Sequence, residues 1–534
     1  MRGTDCERGL IDMKKLLAMV IAILVVAMTL SVAFAAQTYT ITVKDGYKGE
    51  TYTAYRIFDV TYSSTSYAYT ISADGEWFRD IIGTATADAA GDYTLEDYGI
   101  KLQRTAGANT YNVVNAVDGT NPTAEQMAGL AERLSKADLT GKTAAGTGTE
   151  AKRQGDGYGA KADVTINVTP DVAGYYFVTT TTGALCALNT TDANAEVQEK
   201  NDLPDIDKKQ QIGEAPTSAA GYVDDQLDVQ VGDTVWYQVE VKDGKGTDSA
   251  ITVVDQMGTG LKYDTASDPV ITASIAGAEE AAVANTNYQV TEKTESGFTV
   301  TFNADYVKTL TEADKVYIRF AATVTYDATT VDRERNTVTL TYSHQSKEDH
   351  VDVTTYMFQL DKTDGNYEDL KGARFELYRD SRADENKVWF MQDHFEDGVL
   401  VLYVNGVGAT PPVDGTFTEI QLTDPWERDN SLDTSKVIIK GLDRDDYVLH
   451  ETKAPAGYNA LGEDRVVAAN ELVAIGGIII DAVGIENDTG VVTVVNEAGV
   501  ELPSTGGTGA MNYYMAGGAL VLAAAILLAT RRRA

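Results

Sequence analysis

The sequence predicts an all-β chain made of tandem β-sandwich domains, and three observations carry that reading. Apolar and polar residues alternate: Val235, Tyr237, Val239 and Val241 fall on one face of a strand, Gln238 and Glu240 on the other. Threonine, valine and tyrosine are abundant, and glycine and aspartate punctuate the runs where strands must turn. The length of 534 residues is enough for three or four domains of about 100 to 200 residues each.

Charge and the two ends set the compartment. A net charge of -36 argues against nucleic acid, whose binding rests on neutralising phosphates with Lys and Arg. Met13, Lys14 and Lys15 precede the apolar run Leu16 to Leu30, and Ala33-Phe34-Ala35 offers small residues for cleavage, so residues 1–35 read as a secretory signal peptide, with Met1 or Met13 as its start. Cleavage removes Cys6 and leaves Cys186 as the one cysteine, which rules out an internal disulfide in an oxidising compartment. Some other staple is expected. At the far end, Tyr513 to Ala529 is an apolar run of seventeen residues, near the short limit of the roughly 20 that span a bilayer. Arg531, Arg532 and Arg533 follow it and stay inside. The pentapeptide Leu502, Pro503, Ser504, Thr505 and Gly506 then sits just outside the membrane, where a membrane-bound transpeptidase reaches it.

Boundaries are expected where charge and proline collect. The stretch "EVQEKNDLPDIDKKQQIGEAPTSAAG" separates a first domain, 36–200, from a second, 201–352. "SHQSKEDHVDVTT" separates the second from a third, 353–499, and the terminal segment occupies 500–534. One helix is expected in the first domain, where Thr123 and Gln126 form a capping-box pair and Met127, Leu130 and Leu134 recur on one face. The first and third domains share an internal repeat: "KGETYTAYRIFD" resembles "KGARFELYRD", and "GYYFVTTTTG" stands in the place of "DYVLHETKAPAG".

The third domain holds an anomaly. Lys362 shares a strand face with Tyr356, Phe358 and Leu360; Glu451 shares one with Tyr447 and Leu449; Asn496 shares one with Val492 and Val494. Each is costly to bury unpaired. Chemistry removes the cost: an amine in apolar surroundings has its pKa lowered, and a buried carboxyl has its pKa raised and donates a proton to the amide. Attack on the amide carbon with loss of ammonia leaves a Lys-Asn isopeptide bond, a redox-independent staple. The bland alternative is a lysine that snorkels to water and an asparagine that opens a turn. The second domain repeats the pattern, with Asp255 in phase with Ile251 and Val253, Asn336 in phase with Val338, Leu340 and Tyr342, and Lys208 or Lys209 as the amine. In the first domain Thr180 stands where Glu451 is expected, so no such bond is predicted there.

These residues coincide with a family pattern. "YVLHETKAPAGY", Tyr447 to Tyr458, looks like the E-box of sortase-assembled backbone pilins of Gram-positive bacteria, and Leu502 to Gly506 resembles their L-P-x-T-G sorting signal, followed by an apolar segment and a basic tail. The resemblance implies tandem immunoglobulin-like domains, the second of collagen-adhesin A type and the third of B type, each closed by an isopeptide bond with Asp255 or Glu451 as the acid. It further implies that a pilus-specific sortase cleaves after Thr505 and joins it to a lysine of the next identical subunit, with peptidoglycan as the final anchor and minor or tip pilins as further partners. The acceptor in such pilins follows a Tyr-Pro pair before the second domain; here Lys200 occupies that place, preceded by Gln198 and Glu199. Lys208 or Lys209 is the alternative acceptor.

Other signals carry less. His344, His350, His394 and His450 show no paired zinc spacing, and His450 has the parity opposite to Glu451, so it is expected to face solvent. "DKTDGN" from Asp361 lacks the alternating ligands of a calcium loop and reads as a turn. No cofactor or metal and no enzyme constellation is expected. The competing function is a singly anchored adhesin or minor pilin that binds a host ligand, for which Asp384 to Lys436, with Trp389, Phe390 and Trp426, is the place to look.

Overall fold

The computed structural model describes residues 39–63, 66–169, 173–189, 194–213, 215, 221–331, 333–396, 398–422, 433–475, 490–500 and 508–531. The signal peptide, Trp426, the pentapeptide Leu502 to Gly506 and Arg532 and Arg533 lie outside them. The chain divides into two compact units, one made mainly of residues up to Tyr356 and one of residues from Met357 onward.

In the first unit, the N-terminal domain sets a three-stranded mixed sheet against a long antiparallel one. The smaller sheet has Thr40–Tyr47 at its centre, parallel to Asn194–Gln198 and antiparallel to Lys161–Asn167. In the larger, Thr51–Tyr62 pairs antiparallel with Gly174–Thr180. That second strand is buried on both faces, which is why "YYFV" reads as an unbroken apolar run. Tyr176 and Val178 face a core with Ile41, Val43 and Ile166, whereas Tyr175 and Phe177 face a second core with Trp77, Phe78 and Leu130. The predicted helix is there: Ala124–Ser135 starts at Thr123, whose hydroxyl accepts from Gln126 N at 3.2 Å while Thr123 N donates to Gln126 Oε1 at 2.9 Å. Leu130, Ala131 and Leu134 are its buried stripe. Two short helices, Phe78–Ile82 and Ala304–Val307, add to the one expected.

The second domain is a sandwich around one large apolar core. Its first sheet runs Asp205–Ile212, Thr234–Lys242, Lys315–Val324 and Val270–Ser274 in spatial order; the second holds Gln345–Thr354, Glu334–Tyr342, Ile251–Met257 and Gly297–Phe302. Val235, Tyr237, Val239 and Val241 are all buried, as their alternation requires. Two stretches expected at domain boundaries are built into strands. Most of the charged stretch from Ser343 to Thr355 is a strand, Gln345–Thr354: Lys347 and Asp349 share the face of the buried Val351 and Val353 but stay partly exposed, held by Asp205 and the Lys208 backbone N–H, while Glu348 and His350 lie on the opposite face. The "DIDKKQQI" stretch is likewise the first strand of the second domain.

A buried carboxylate joins these two domains. Glu50, fully buried in the first, accepts from Ser343 Oγ at 2.6 Å, His344 N at 3.2 Å and Gln345 Nε2 at 3.0 Å in the second, and from the Thr181 hydroxyl in its own. Burial pushes its pKa up, but these hydrogen bonds outweigh burial and hold it below the usual carboxylate value. The contribution is therefore present at neutral pH and lost as pH falls through the carboxylate range. Glu50→Ala strands several buried donors and is expected to cost about 3 kcal/mol; a thermal melt of the variant at pH 7 against pH 3 checks both size and sign.

The second unit holds the third domain and the C-terminal helix. One sheet contains Tyr356–Asp364, Val388–Glu396, Val399–Val407 and Asp433–Leu442; the other contains Glu419–Gln421, Arg374–Arg379, Tyr447–Lys453 and Arg465–Val467. The last strand, Val491–Asn496, lies parallel to Tyr356–Asp364. The internal repeat is visible as a shared pairing: Tyr52 stands opposite Thr180 in the first domain and Phe375 opposite Glu451 in the third. The "DKTDGN" turn is present, with Asp364 Oδ1 accepting from Asn366 N at 2.8 Å and Glu368 N at 3.0 Å. Thr508–Arg531 is a helix, and Tyr513–Arg531 within it is apolar and long enough to cross a membrane.

Candidate cross-linking and sorting sites

In the third domain, three strands bring the polar residues to one place. Lys362 is fully buried, Asn496 is 1% exposed and Glu451 8%. Lys362 stands beside Val494 and Asp364 beside Asn496 in the parallel pair, so the lysine and asparagine are diagonal neighbours on one face of one sheet. Glu451 comes from the other sheet. Asn496 Nδ2 donates to both Glu451 oxygens at 3.0 Å and to Asn459 O at 2.7 Å. The Glu451 carboxyl therefore sits against the amide nitrogen, the atom that would leave as ammonia in an amide exchange. Leu461 N fixes Glu451 through Oε2 at 2.9 Å. Lys362 Nζ donates to Val494 O at 3.0 Å and Thr363 O at 3.1 Å, and Asn496 Oδ1 is buried with no hydrogen-bond partner among the described residues. Burial lowers the Lys362 pKa to about 8, against the pull of Glu451 and Asp364.

That lowered value has a sign that can be measured. In Asn496→Ala, Lys362 remains an amine; the unfolded chain holds its proton up to the ordinary value of 10.5, the folded chain only to about 8. The unfolded state binds more protons in that window, so stability is expected to rise with pH from about 8 to 10.5. Chemical denaturation of this variant against the double variant with Lys362→Met isolates the effect.

The second domain uses a different route to the same constellation. Lys208 is in one sheet, Asp255 and Asn336 in the facing one, on adjacent strands with Asp255 opposite Val338 and Met257 opposite Asn336. All three are buried, at 1%, 2% and 0% exposure. Lys208 Nζ makes an ion pair with Asp255 Oδ2 and lies 5.2 Å from the Tyr237 ring centre and 5.1 Å from that of Phe320. Burial lowers the lysine's pKa and raises the aspartate's, so both are driven toward their neutral forms, although each partner and the nearby Asn336 amide offset part of it. Asn336 Oδ1 and Nδ2 are buried without a hydrogen bond of ordinary geometry to any described residue. An unmatched buried amide costs about 1–3 kcal/mol. Lys209 is placed elsewhere: it is partly exposed and pairs with Asp207 at 3.1 Å. Among the described residues, Lys208 and Lys362 are the lysines that the fold buries. A buried amine, a primary amide and a carboxyl group are the three groups that an amide exchange needs.

The other sequence-predicted residues separate from these. Lys200 is half-buried between the strands Asn194–Gln198 and Asp205–Ile212, where the first domain meets the second. His450 is not open to water as expected; it is half-buried against Asp464, with Nδ1 at 2.7 Å from Oδ1. No cluster of three or more metal-ligating side chains occurs among the described residues. Glu50 and Glu199 were missed by sequence reasoning, because only the tertiary pairing shows that they are buried.

Comparison with known proteins now adds to this geometry. Residues 357–473 match the SpaA model, described as a prealbumin-like fold domain, and residues 494–534 match the LPXTG cell wall anchor motif. The chain is a cell-wall-anchored surface protein. In this wall-anchored protein both matches fall where the resemblance to sortase-assembled pilins requires them, one over the third domain and one over the sorting signal with its apolar helix. No curated protein matches the chain. Solved structures with some likeness include the T6 backbone pilin of serotype M6 Streptococcus pyogenes, at 16% identity over 83% of this chain and 82% of that one, with a TM-score of 0.43. The full-length RrgB pilus protein of Streptococcus pneumoniae shows 13% identity over 88% of this chain and 100% of its own, with a TM-score of 0.42. The full-length major pilin SpaD of Corynebacterium diphtheriae shows 16% over 88% and 99%, at 0.41.

Proposed function

We propose that this wall-anchored protein is the shaft-forming subunit of a covalent surface pilus. The observation that carries the reading is the pairing of the first and last strands of the third domain, with Lys362 and Asn496 buried as diagonal neighbours on one face. Tension on a shaft enters such a domain at its first strand and leaves at its last, toward the sorting signal. A bond between Lys362 Nζ and Asn496 Cγ carries that load past the rest of the domain. It forms by attack of the neutral amine on the amide carbon; the lysine gives up one proton, Nδ2 gains one through Glu451, and ammonia leaves. Lys208, Asn336 and Asp255 follow the same balance in the second domain, where the bond ties one sheet to the other.

Polymerisation uses the sorting signal. The sortase thiolate attacks the Thr505 carbonyl and the Thr505–Gly506 bond breaks, leaving a thioester; the Lys200 amine of an incoming subunit then forms the amide and frees the thiol. Peptidoglycan takes the place of Lys200 at the base of the shaft. A denaturing gel of wall material released by muramidase, probed for this protein, is expected to show a ladder; a single band near the monomer means single anchoring. The adhesin reading finds less support, because Val388 and Phe390 are buried in the third domain's own core and Trp389 Nε1 is spent on Gly408 O at 2.7 Å.

A further inference from the structure

We propose that Glu199 is the positioning residue for the acceptor lysine, holding the Lys200 backbone so that its amine meets the sortase-bound acyl group in one geometry. The inference rests on Lys200 being the acceptor. Gln198, one residue earlier, is exposed, yet Glu199 is 4% exposed and its carboxylate turns inward. Oε1 accepts from the backbone N–H of Lys200 at 3.0 Å and of Asn201 at 2.9 Å. Oε2 accepts from the Tyr52 hydroxyl at 2.7 Å, and that hydroxyl accepts from Tyr47 N at 2.8 Å. Tyr52 is fully buried on the strand Thr51–Tyr62, so the bend at Lys200 is pegged to the core of the first domain.

The other side of the bend is held as well. Tyr47 Oη donates to Asn201 O at 3.0 Å, and Asp202 N donates to Lys245 O at 2.9 Å in the second domain. The peptides on both sides of Lys200 are thus tied to the first domain through Glu199 and Tyr47, and the next one, at Asp202, to the second. Burial works against this carboxylate and raises its pKa, so a group retained here does something a neutral side chain of similar size does not do by packing alone. What it does is take the two N–H groups that flank the lysine side chain. Acyl transfer depends on where the amine can be, and a misplacement of about 1 Å costs up to about a hundredfold in rate.

The test uses the full chain in its native cells, comparing wild type, Glu199→Ala and Glu199→Gln. Glu199→Ala is expected to lower the polymer ladder about tenfold or more, while the monomer stays wall-linked through Thr505, since capture of the sorting signal does not involve Glu199. Junctions that still form are expected to spread to other lysines, Lys209 and Lys245 among them, in tryptic mass spectra. Glu199→Gln keeps a carbonyl acceptor for the two N–H groups and an amide donor for Tyr52, and is expected to restore the ladder with Thr505 on Lys200. Equal loss in both variants, with a matching fall in thermal midpoint, would reduce Glu199 to fold support and overturn the proposal. So would an unchanged ladder in Glu199→Ala with junctions confined to Lys200. Absence of the Thr505–Lys200 junction in wild type overturns the acceptor assignment and this inference together, whereas its presence beside an unchanged Glu199→Ala overturns this inference alone.

Discussion

Lys200→Ala is expected to collapse the wall-associated ladder to a band near the monomer, with the protein still anchored. The size of the effect follows from chemistry: an alanine has no amine, and a thioester without its acceptor passes to peptidoglycan or water. Alanine keeps the backbone N–H that donates to Glu199, and a thermal melt of the variant separates loss of the amine from loss of fold. A ladder that persists in Lys200→Ala shifts the acceptor to Lys208 or Lys209. Of these, Lys208 is buried against Asp255 and the aromatic rings, so Lys209 is the one a sortase can reach.

The second large effect is on stability. Intact mass of the recombinant ectodomain is expected to fall short of the calculated value by two ammonia molecules, and Glu451→Ala or Asp255→Ala to restore one each. Every cross-link closes a loop of roughly 130 residues, for which the chain-entropy estimate is about 4–5 kcal/mol. Asp255→Ala carries an additional penalty, since it leaves Lys208 buried without its ion-pair partner, at about 3–5 kcal/mol if the amine stays charged. Glu451→Ala also removes the acceptor of Asn496 Nδ2 and Leu461 N. Guanidinium denaturation monitored domain by domain is expected to rank wild type above Glu451→Ala for the third domain and above Asp255→Ala for the second. A full calculated mass for the wild type refutes both bonds.

Much of this was legible in period-two alternation. Parity alone placed Lys362, Glu451 and Asn496 on core faces, because one wrong residue in a strand register turns every side chain to the other side. It also separated Thr180 from Glu451 at matched positions of the repeat. Parity is silent on which sheet faces which. The Lys208–Asp255 contact across the core, the aromatic rings over Lys208, and the burial of Glu50 and Glu199 all come from pairings far apart in sequence. The boundary stretch Ser343 to Thr355 is mostly a strand, whose charged residues stay partly or fully exposed, so composition marked the boundary without showing the strand. Parity turned His450 away from Glu451, but its partner Asp464 lies across a loop and was not legible.

Tandem mass spectrometry of the tryptic digest of the largest muramidase-released species tests directly whether a covalent shaft is joined at one threonine and one lysine. A branched peptide with the Thr505 carbonyl on Lys200 Nζ is expected. Thr505 found only on a peptidoglycan cross-bridge, in material no larger than one subunit, would contradict it.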